Sequence, residues 1–353
     1  MPTVSVLVPI YNVERYLEQC LRSLADQTYQ DFEAILINDG STDGSRAIIQ
    51  RFLDADPRFT VIDKPNSGYG ASMNRGMDAA QGRYLAILES DDFYADYALE
   101  RLVAEAERTQ ADVVKADFWL YWSQPQERNE RFGLIPEGLA GATQRPSCGD
   151  TRIFHAKPSI WSALYRLDFL RAHDIRFLET PGASYQDTSF SFKVFAFAER
   201  VTYLDACVVH YRQDNEASSV HDPRKAFLVC PEYAECQRVL DETPELKVRL
   251  QGVLELMKFD TYMWNWERLD GELADAFLQR VSEEFSADEA AGRIDHALFD
   301  PVKDSLLLAA MHDHERFRKF KAGKQGKGKF STLRLYWGLG GPRLVSAVLG
   351  FGL

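Results

Sequence analysis

Residues 84–92 read YLAILESDD, five apolar residues running directly into three carboxylates, Glu89, Asp91 and Asp92. A short continuous apolar run closed by polar residues marks a strand buried on both faces, so the acids fall at a strand's carboxyl end. Working outward repeats the pattern. VSVLVPI at 4–10 leads into Pro9-Ile10-Tyr11-Asn12, FEAILIN at 32–38 into Asn38-Asp39-Gly40, and FTVID at 59–63 into the Gly-rich NSGYGASMNRGM. Helical spacing separates these runs: Tyr16, Leu17, Leu21 and Leu24 within 14–26, then 45–53, then a helix opened by the Gly-rich stretch, then 97–110. Strand–helix alternation with short connections predicts an α/β fold, a mostly parallel Rossmann-like sheet with helices on both faces. In such sheets the ligand crevice lies beyond the carboxyl ends of the strands, where all these polar turns fall.

Beyond residue 110 the pattern predicts a strand over 112–119, a polar Gly/Pro-rich loop or excursion over 121–150, and a strand around Trp161. Helices follow near 168–173 and 187–199, then two strands at 201–206 and 207–211. From Pro223 the spacing is helical, which sets a boundary near 222. The organisation expected is a catalytic-type domain at 1–222, with halves at about 1–120 and 121–222, a helical region at 223–310, and a basic aromatic tail at 311–353.

Apolar residues make up 45% of the 353 and charged residues 27%, an ordinary globular balance. Five cysteines without CxxC spacing argue against a disulfide framework or a zinc site and for a cytoplasmic setting. Neither a leader nor a membrane-spanning run is visible. Residues 316–353 hold nine Lys or Arg and no acid, which leaves −21 on the remainder of a chain whose total is −12. An acidic body excludes nucleic acid as the expected partner.

Three carboxylates in four residues repel one another. Hard divalent cations such as Mg²⁺ or Mn²⁺ relieve that repulsion while sharing phosphate oxygens; a solvated acidic turn is the alternative. Asn38, Asp39, Ser41, Thr42 and Asp43 form a polar turn whose carboxylate suits a base imide N–H and whose hydroxyls suit a helix cap. Gly68 and Gly70 permit close backbone approach to a ligand, with a helix N-terminus behind them. No GKS or GKT follows, so this is not a phosphate loop of that kind.

The order PIYN, INDGSTDGS, NSGYGASMNRG and LESDD across residues 4–100 resembles the family 2 glycosyltransferases of the GT-A fold. The resemblance implies inverting transfer of a hexosyl or N-acetylhexosaminyl group from a nucleotide sugar, commonly a UDP-sugar, with Mn²⁺ or Mg²⁺. It implies a saccharide or lipid-linked acceptor in bacterial cell-surface polysaccharide or glycolipid synthesis. Carried over by position, Tyr11 stacks on the base, Asp39 binds uracil N3, Asp91 holds ribose or metal, and Asp92 holds the metal with Glu89 beside it. Pro9, Asn12, Glu14, Ser41, Asn66, Gly68 and Asn74 fall on the nucleotide-sugar side. Where the family often has Ala-Arg-Asn, this chain has Ser72-Met73-Asn74.

WSALYR at 161–166 followed by YQDTSF at 185–190 resembles the family's acceptor-side pattern, with Gln186 where Glu is usual. Inverting transfer needs a carboxylate to take the acceptor hydroxyl's proton, and Asp187 is the candidate; an N-cap of the following helix is the alternative. The resemblance also implies that Arg212 contacts the diphosphate from a loop near Ser218-Ser219. His210 or His221 completing a metal site, and Trp264 or Trp266 stacking on sugars, stand against structural roles for all four. The tail mixes cations with Phe, Leu, Tyr and Trp, a pattern for peripheral contact with an anionic membrane or for a self-packed C-terminus. Two other readings are a nucleotidyltransferase that makes nucleotide sugars and a non-catalytic sugar-binding module.

Overall fold

The computed structural model describes residues 1–215, 223–323 and 329–349. Ser218, Ser219 and His221 lie outside the described residues, as does much of the KAGKQGKGK stretch. The chain divides into two compact units, Met1–His221 with Cys230–Val239, and Asp222–Val229 with Leu240–Leu353.

The first unit is built on a mixed ten-stranded sheet. Its leading half is parallel throughout: β3 (Phe59–Asp63), β2 (Phe32–Asn38), β1 (Val4–Ile10) and β4 (Tyr84–Ile87) lie side by side in that order. All seven residues of β1 are buried, as expected of a central strand covered on both faces. The register sets Ile10 opposite Asn38 and Asn38 opposite Asp63, so three strands end level. Helices α1 (Glu14–Ala25), α2 (Ser45–Ala55), α3 (Tyr69–Ala79) and α4 (Ala98–Thr109) form the crossovers. Leu17, Cys20, Leu21 and Leu24 turn the apolar face of α1 inward, at the spacing a helical stripe requires.

The sheet continues through β9 (Ala163–Arg166), antiparallel to β4, then β6 (Val113–Trp122), β10 (Val201–Arg212) and β5 (Phe93–Tyr94). Two expectations are corrected here. The supposed loop at 121–150 contains β7 (Arg128–Phe132), paired antiparallel with β6, and β8 (Thr143–Gln144), paired with β10. The RNERF sequence of β7 has no apolar alternation; it is held by ladder hydrogen bonds and by Phe132 stacking on Phe118 at 4.7 Å. Residues 201–212 are one strand, not two. Register shifts between Leu204 and Cys207 and again before His210 break its period-two pattern, as bulges do. Helices α5 (Leu167–Ala172) and α6 (Gln186–Phe197) precede β10, and α7 (Val229–Glu242) follows it.

The second unit is helical: α8 (Pro244–Trp266), α9 (Gly271–Ala290), α10 (Pro301–His312), α11 (His314–Gly323) and α12 (Lys329–Val348). Phe259, Tyr262, Phe277, Phe285 and Phe317 form its core. Trp266 packs edge-on against Phe317 at 4.8 Å and donates to the Ala274 carbonyl at 3.1 Å, which is core packing. Trp264 is partly exposed, with the Arg268 guanidinium 4.2 Å from its ring centre. None of the five cysteines forms a disulfide. Among the described residues no helix is long and apolar enough to cross a membrane.

Candidate active site

The acid cluster is fixed from two sides. Leu88 N–H donates to the Leu7 carbonyl at 2.9 Å, and immediately after the acids β5 pairs with β10, Phe93 opposite His210. Asp92 is 1% exposed; its Oδ1 accepts the Arg212 backbone N–H at 2.8 Å, and its buried Oδ2 has no partner among the described residues. The Arg212 side chain donates through Nε to the Asp91 carbonyl at 2.9 Å and through Nη2 to Gln19 at 2.5 Å. Its guanidinium lies between the rings of Tyr16 and Tyr121. Arg212 is therefore a buried brace at the end of β10, held by these partners beside the acid cluster. Asp91 Oδ2 accepts from Asn215 at 2.8 Å.

Burial, reinforced by the Asp91 charge, holds the Asp92 carboxyl well above the usual range. Burial likewise pushes Glu89 up to about 8, opposed by a 2.6 Å hydrogen bond from the Tyr69 hydroxyl and reinforced by Asp91 and Asp187. This is an electrostatically frustrated group of acids, the arrangement a bound cation relieves.

Asp187 stands in the first turn of α6, one residue inside the helix, which starts at Gln186 after Tyr185 in a left-handed turn (φ 64°). The N-cap alternative is thereby removed. Burial pushes Asp187 up to about 6, with the nearby Lys157 ammonium and the backbone N–H groups of Asp187 and Thr188 opposing it. The Lys157 ammonium sits 4.1 Å from the Tyr211 ring centre, and Tyr211 stacks on Trp161 at 4.8 Å. Burial raises the Tyr211 hydroxyl, and Asp92, Asp91, Asp187 and Glu89 all add to the effect. Acids from the end of β4 and the start of α6 thus act on one tyrosine through their charge.

Gln186 explains its own departure from Glu. Its Oε1 accepts the Ser184 N–H at 2.6 Å while its Nε2 donates to Thr180 Oγ1 at 2.8 Å and to the Gly182 carbonyl at 3.3 Å, an acceptor to which a carboxylate has no hydrogen to give. Glu232 on α7, fully buried, accepts the Ser189 N–H at 3.3 Å and so supports the same helix start.

On the opposite side Asp39 accepts from Ser67 N–H at 2.9 Å and from Lys64 on Oδ1, and from Gly68 N–H at 3.0 Å on Oδ2. The next residue, Tyr69, donates to Glu89, so residues 67–69 connect Asp39 directly to the acid cluster. Asn12 accepts from Thr42 N–H at 2.8 Å, Ser41 Oγ accepts from Asn12 N–H at 3.1 Å, and Glu14 accepts from Gly44 N–H at 2.5 Å. These three side chains brace the turn after β1 against the turn after β2. Tyr11, 53% exposed, stands at the first of those turns, just past Pro9 and the end of β1, and Asn66, also exposed, follows β3.

The Gly-rich stretch packs closely on the backbone of residues 177–182. A Cβ on Gly68 would lie 2.9 Å from the Thr180 carbonyl, and one on Gly70 only 1.9 Å from the Leu178 carbonyl. Both glycines admit protein backbone at close range. Asn74 is buried and spends its amide on that same segment, donating to the Phe177 carbonyl at 3.0 Å and accepting Phe177 N–H at 3.0 Å. It positions the stretch leading to Asp187.

For a cation, the fit rests on the partnerless Asp92 oxygen and the adjacent Asp91 carboxylate. Glu89 is turned to Tyr69, and among the described residues no three His, Cys, Asp or Glu side chains form a ready-made cage. Oxygen-only donors supplemented by phosphate suit Mg²⁺ or Mn²⁺. His210 takes the structural alternative: it stacks on Phe93 at 4.4 Å, bonds Asn129 at 2.7 Å, and burial lowers it to about 4. Sequence reasoning missed Lys157, Gln19 and Glu232, which stand outside any recognisable motif; Tyr69, inside NSGYG, was within reach of it.

Residues 5–156 match the family model described as Glycosyl transferase family 2. The chain is 34% identical over 227 residues to the uncharacterized glycosyltransferase EpsJ of Bacillus subtilis, covering 61% of this chain and 62% of that one. It is 34% identical over 218 residues to the putative glycosyltransferase EpsH of the same organism, covering 60% and 61%. It therefore spans about three-fifths of the length of these relatives. In fold it is similar to S. aureus TarS 1-349 in complex with UDP-GlcNAc, with TM-score 0.71 and 20% identity over 92% of this chain and 93% of that one. A more distant likeness is the mannosyltransferase PcManGT from Pyrobaculum calidifontis in complex with GDP-Man and Mn²⁺, with TM-score 0.53 and 17% identity over 88% and 86%. The fold is GT-A with additional C-terminal helices.

Proposed function

We propose that this chain, whose residues 5–156 belong to Glycosyl transferase family 2, transfers a sugar from a nucleotide diphosphate donor to an acceptor hydroxyl with inversion. The observation that carries the reading is the buried Asp92 carboxylate at the end of β4, one oxygen held by the Arg212 N–H and the other without a partner among the described residues. Asp92 and Asp91 would hold Mn²⁺ or Mg²⁺, which when bound carries pyrophosphate oxygens and stabilises the charge left on the nucleotide diphosphate. Asp187 takes the proton of the attacking hydroxyl, and Lys157 keeps that carboxylate ionised.

The donor base is uracil in this reading. An ionised carboxylate offers about four acceptor positions. Lys64, Ser67 and Gly68 use three at Asp39, which leaves one, on Oδ2. A single acceptor suits the one imide N–H of uracil, whereas guanine presents a pair of donors on that edge. TarS, similar in fold, has been crystallised with UDP-GlcNAc, in keeping with this choice. The acceptor is a saccharide or lipid-linked saccharide of the kind used in cell-surface polymer synthesis.

The test is the Asp187→Asn protein. Expected are UDP binding in the presence of Mn²⁺ at wild-type affinity and sugar transfer slower by about 10²-fold or more, the usual contribution of a general base. Transfer at the wild-type rate would remove Asp187 from the mechanism.

A further inference from the structure

Helix α12 presents two unlike faces. Inward, Leu339 and Leu344 are buried, Tyr336 meets Phe320 with ring centres 5.9 Å apart, and the helix packs on α10 and α11. Outward, Arg334, Trp337 and Gly338 are exposed at i, i+3 and i+4, with Trp337 at 59%. Gly341, at φ 67°, breaks the helix ahead of Pro342, and beyond the break Arg343, Val348 and Leu349 are exposed, the last two at 40% and 49%. The basic residues of α11 are largely engaged by the protein: Arg318 pairs with Asp275, Lys319 with Glu315, Lys321 with Glu267, and Arg316 donates to the Gly338 carbonyl. Arg334 and Arg343 have no acidic partner among the described residues, and no acid occurs anywhere from 316 to 353.

We infer that the outer face of α12 docks on an anionic lipid bilayer. An exposed Trp flanked by cations, followed by exposed aliphatic residues, is the composition of an interfacial helix. The cations meet anionic headgroups while the Trp ring seats at the headgroup level. A nucleic-acid partner would satisfy the arginines but leave Trp337, Val348 and Leu349 in water. The inference is independent of the sugar-transfer reading, because none of these residues belongs to the acid cluster or the Asp39 turn.

The experiment is flotation of the full chain with two vesicle preparations, phosphatidylcholine alone and equal parts of phosphatidylcholine and phosphatidylglycerol. Flotation is expected only with the anionic vesicles and is expected to fall as salt rises. Each basic residue removed near such a surface weakens binding about fivefold, so Arg334→Gln with Arg343→Gln costs about 30-fold. Trp337→Ser should weaken it as well, with circular dichroism unchanged in both proteins. In wild type, brominated lipid should quench a share of the tryptophan fluorescence that is absent from Trp337→Phe. Equal binding to both vesicles, binding to neither, or quenching unchanged in Trp337→Phe would overturn the inference.

Discussion

Asp187 and Lys157 form the pair on which the residue-scale account turns. Burial raises Asp187 to about 6, and Lys157, ahead of the backbone N–H groups of Asp187 and Thr188, opposes a larger rise. The base must be ionised to accept a proton, so transfer should fall as pH drops through about 6 and level off above it. Lys157→Gln removes the opposing cation and should move that limb about one unit toward neutrality. A limb that stays in place would separate Lys157 from the base. The same shift carries a stability consequence. A carboxyl raised from 3.8 to about 6 favours the folded state below its unfolded pKa, and the benefit is lost as pH rises through the folded value. At pH 7 Asp187→Asn should therefore be more stable than wild type by up to about 3 kcal/mol, read by denaturant melts, while losing transfer. A functional carboxylate that costs stability is recognised by this opposition.

At the scale of elements, the leading sheet was legible because each strand is a buried apolar run ending on polar residues. Residues 4–10, 32–38 and 59–63 are strands to the residue. What escaped was structure made by pairing rather than pattern. Strand β7 has a polar, exposed sequence, and the two-residue β5 follows the acids where a helix was expected to begin soon after. Yet β5 is what ties Asp91 and Asp92 to β10. The Gly-rich stretch was located correctly, but its grip on residues 177–179 through Gly70 and Asn74 was not legible, because that contact is more than 100 residues away in sequence. Gly70→Ala tests that grip. A helical Ala is intrinsically favoured over Gly by about 1 kcal/mol, but here its Cβ would meet the Leu178 carbonyl. The net effect should be a loss of about 1–3 kcal/mol in melts and a weaker transfer rate as the approach to Asp187 shifts. Gly133→Ala, where a Cβ meets nothing within 4 Å, is the control and should leave both unchanged. Equal behaviour of the two proteins would contradict the role given to the Gly70 contact.

Across the molecule the charge distribution divides the work. The net −12 combines an acidic body, several of whose acids gather at the strand ends, with a tail from Arg316 on that carries only cations. That division was visible in the sequence alone, as was the run of acids after β4. Which acids share a neighbourhood was not, since Asp187 reaches the cluster only through the packing of α6, Trp161 and Tyr211. The account stands on Asp92, whose buried, unpartnered oxygen is the strongest sign of a cation gripping pyrophosphate. The direct test is calorimetric titration of UDP into wild type and Asp92→Asn, each with and without Mn²⁺. Wild type should bind UDP at least about tenfold, or about 1.4 kcal/mol, more tightly with Mn²⁺, and Asp92→Asn should lose that gain while keeping its fold. An undiminished Mn²⁺-dependent affinity in Asp92→Asn would contradict it.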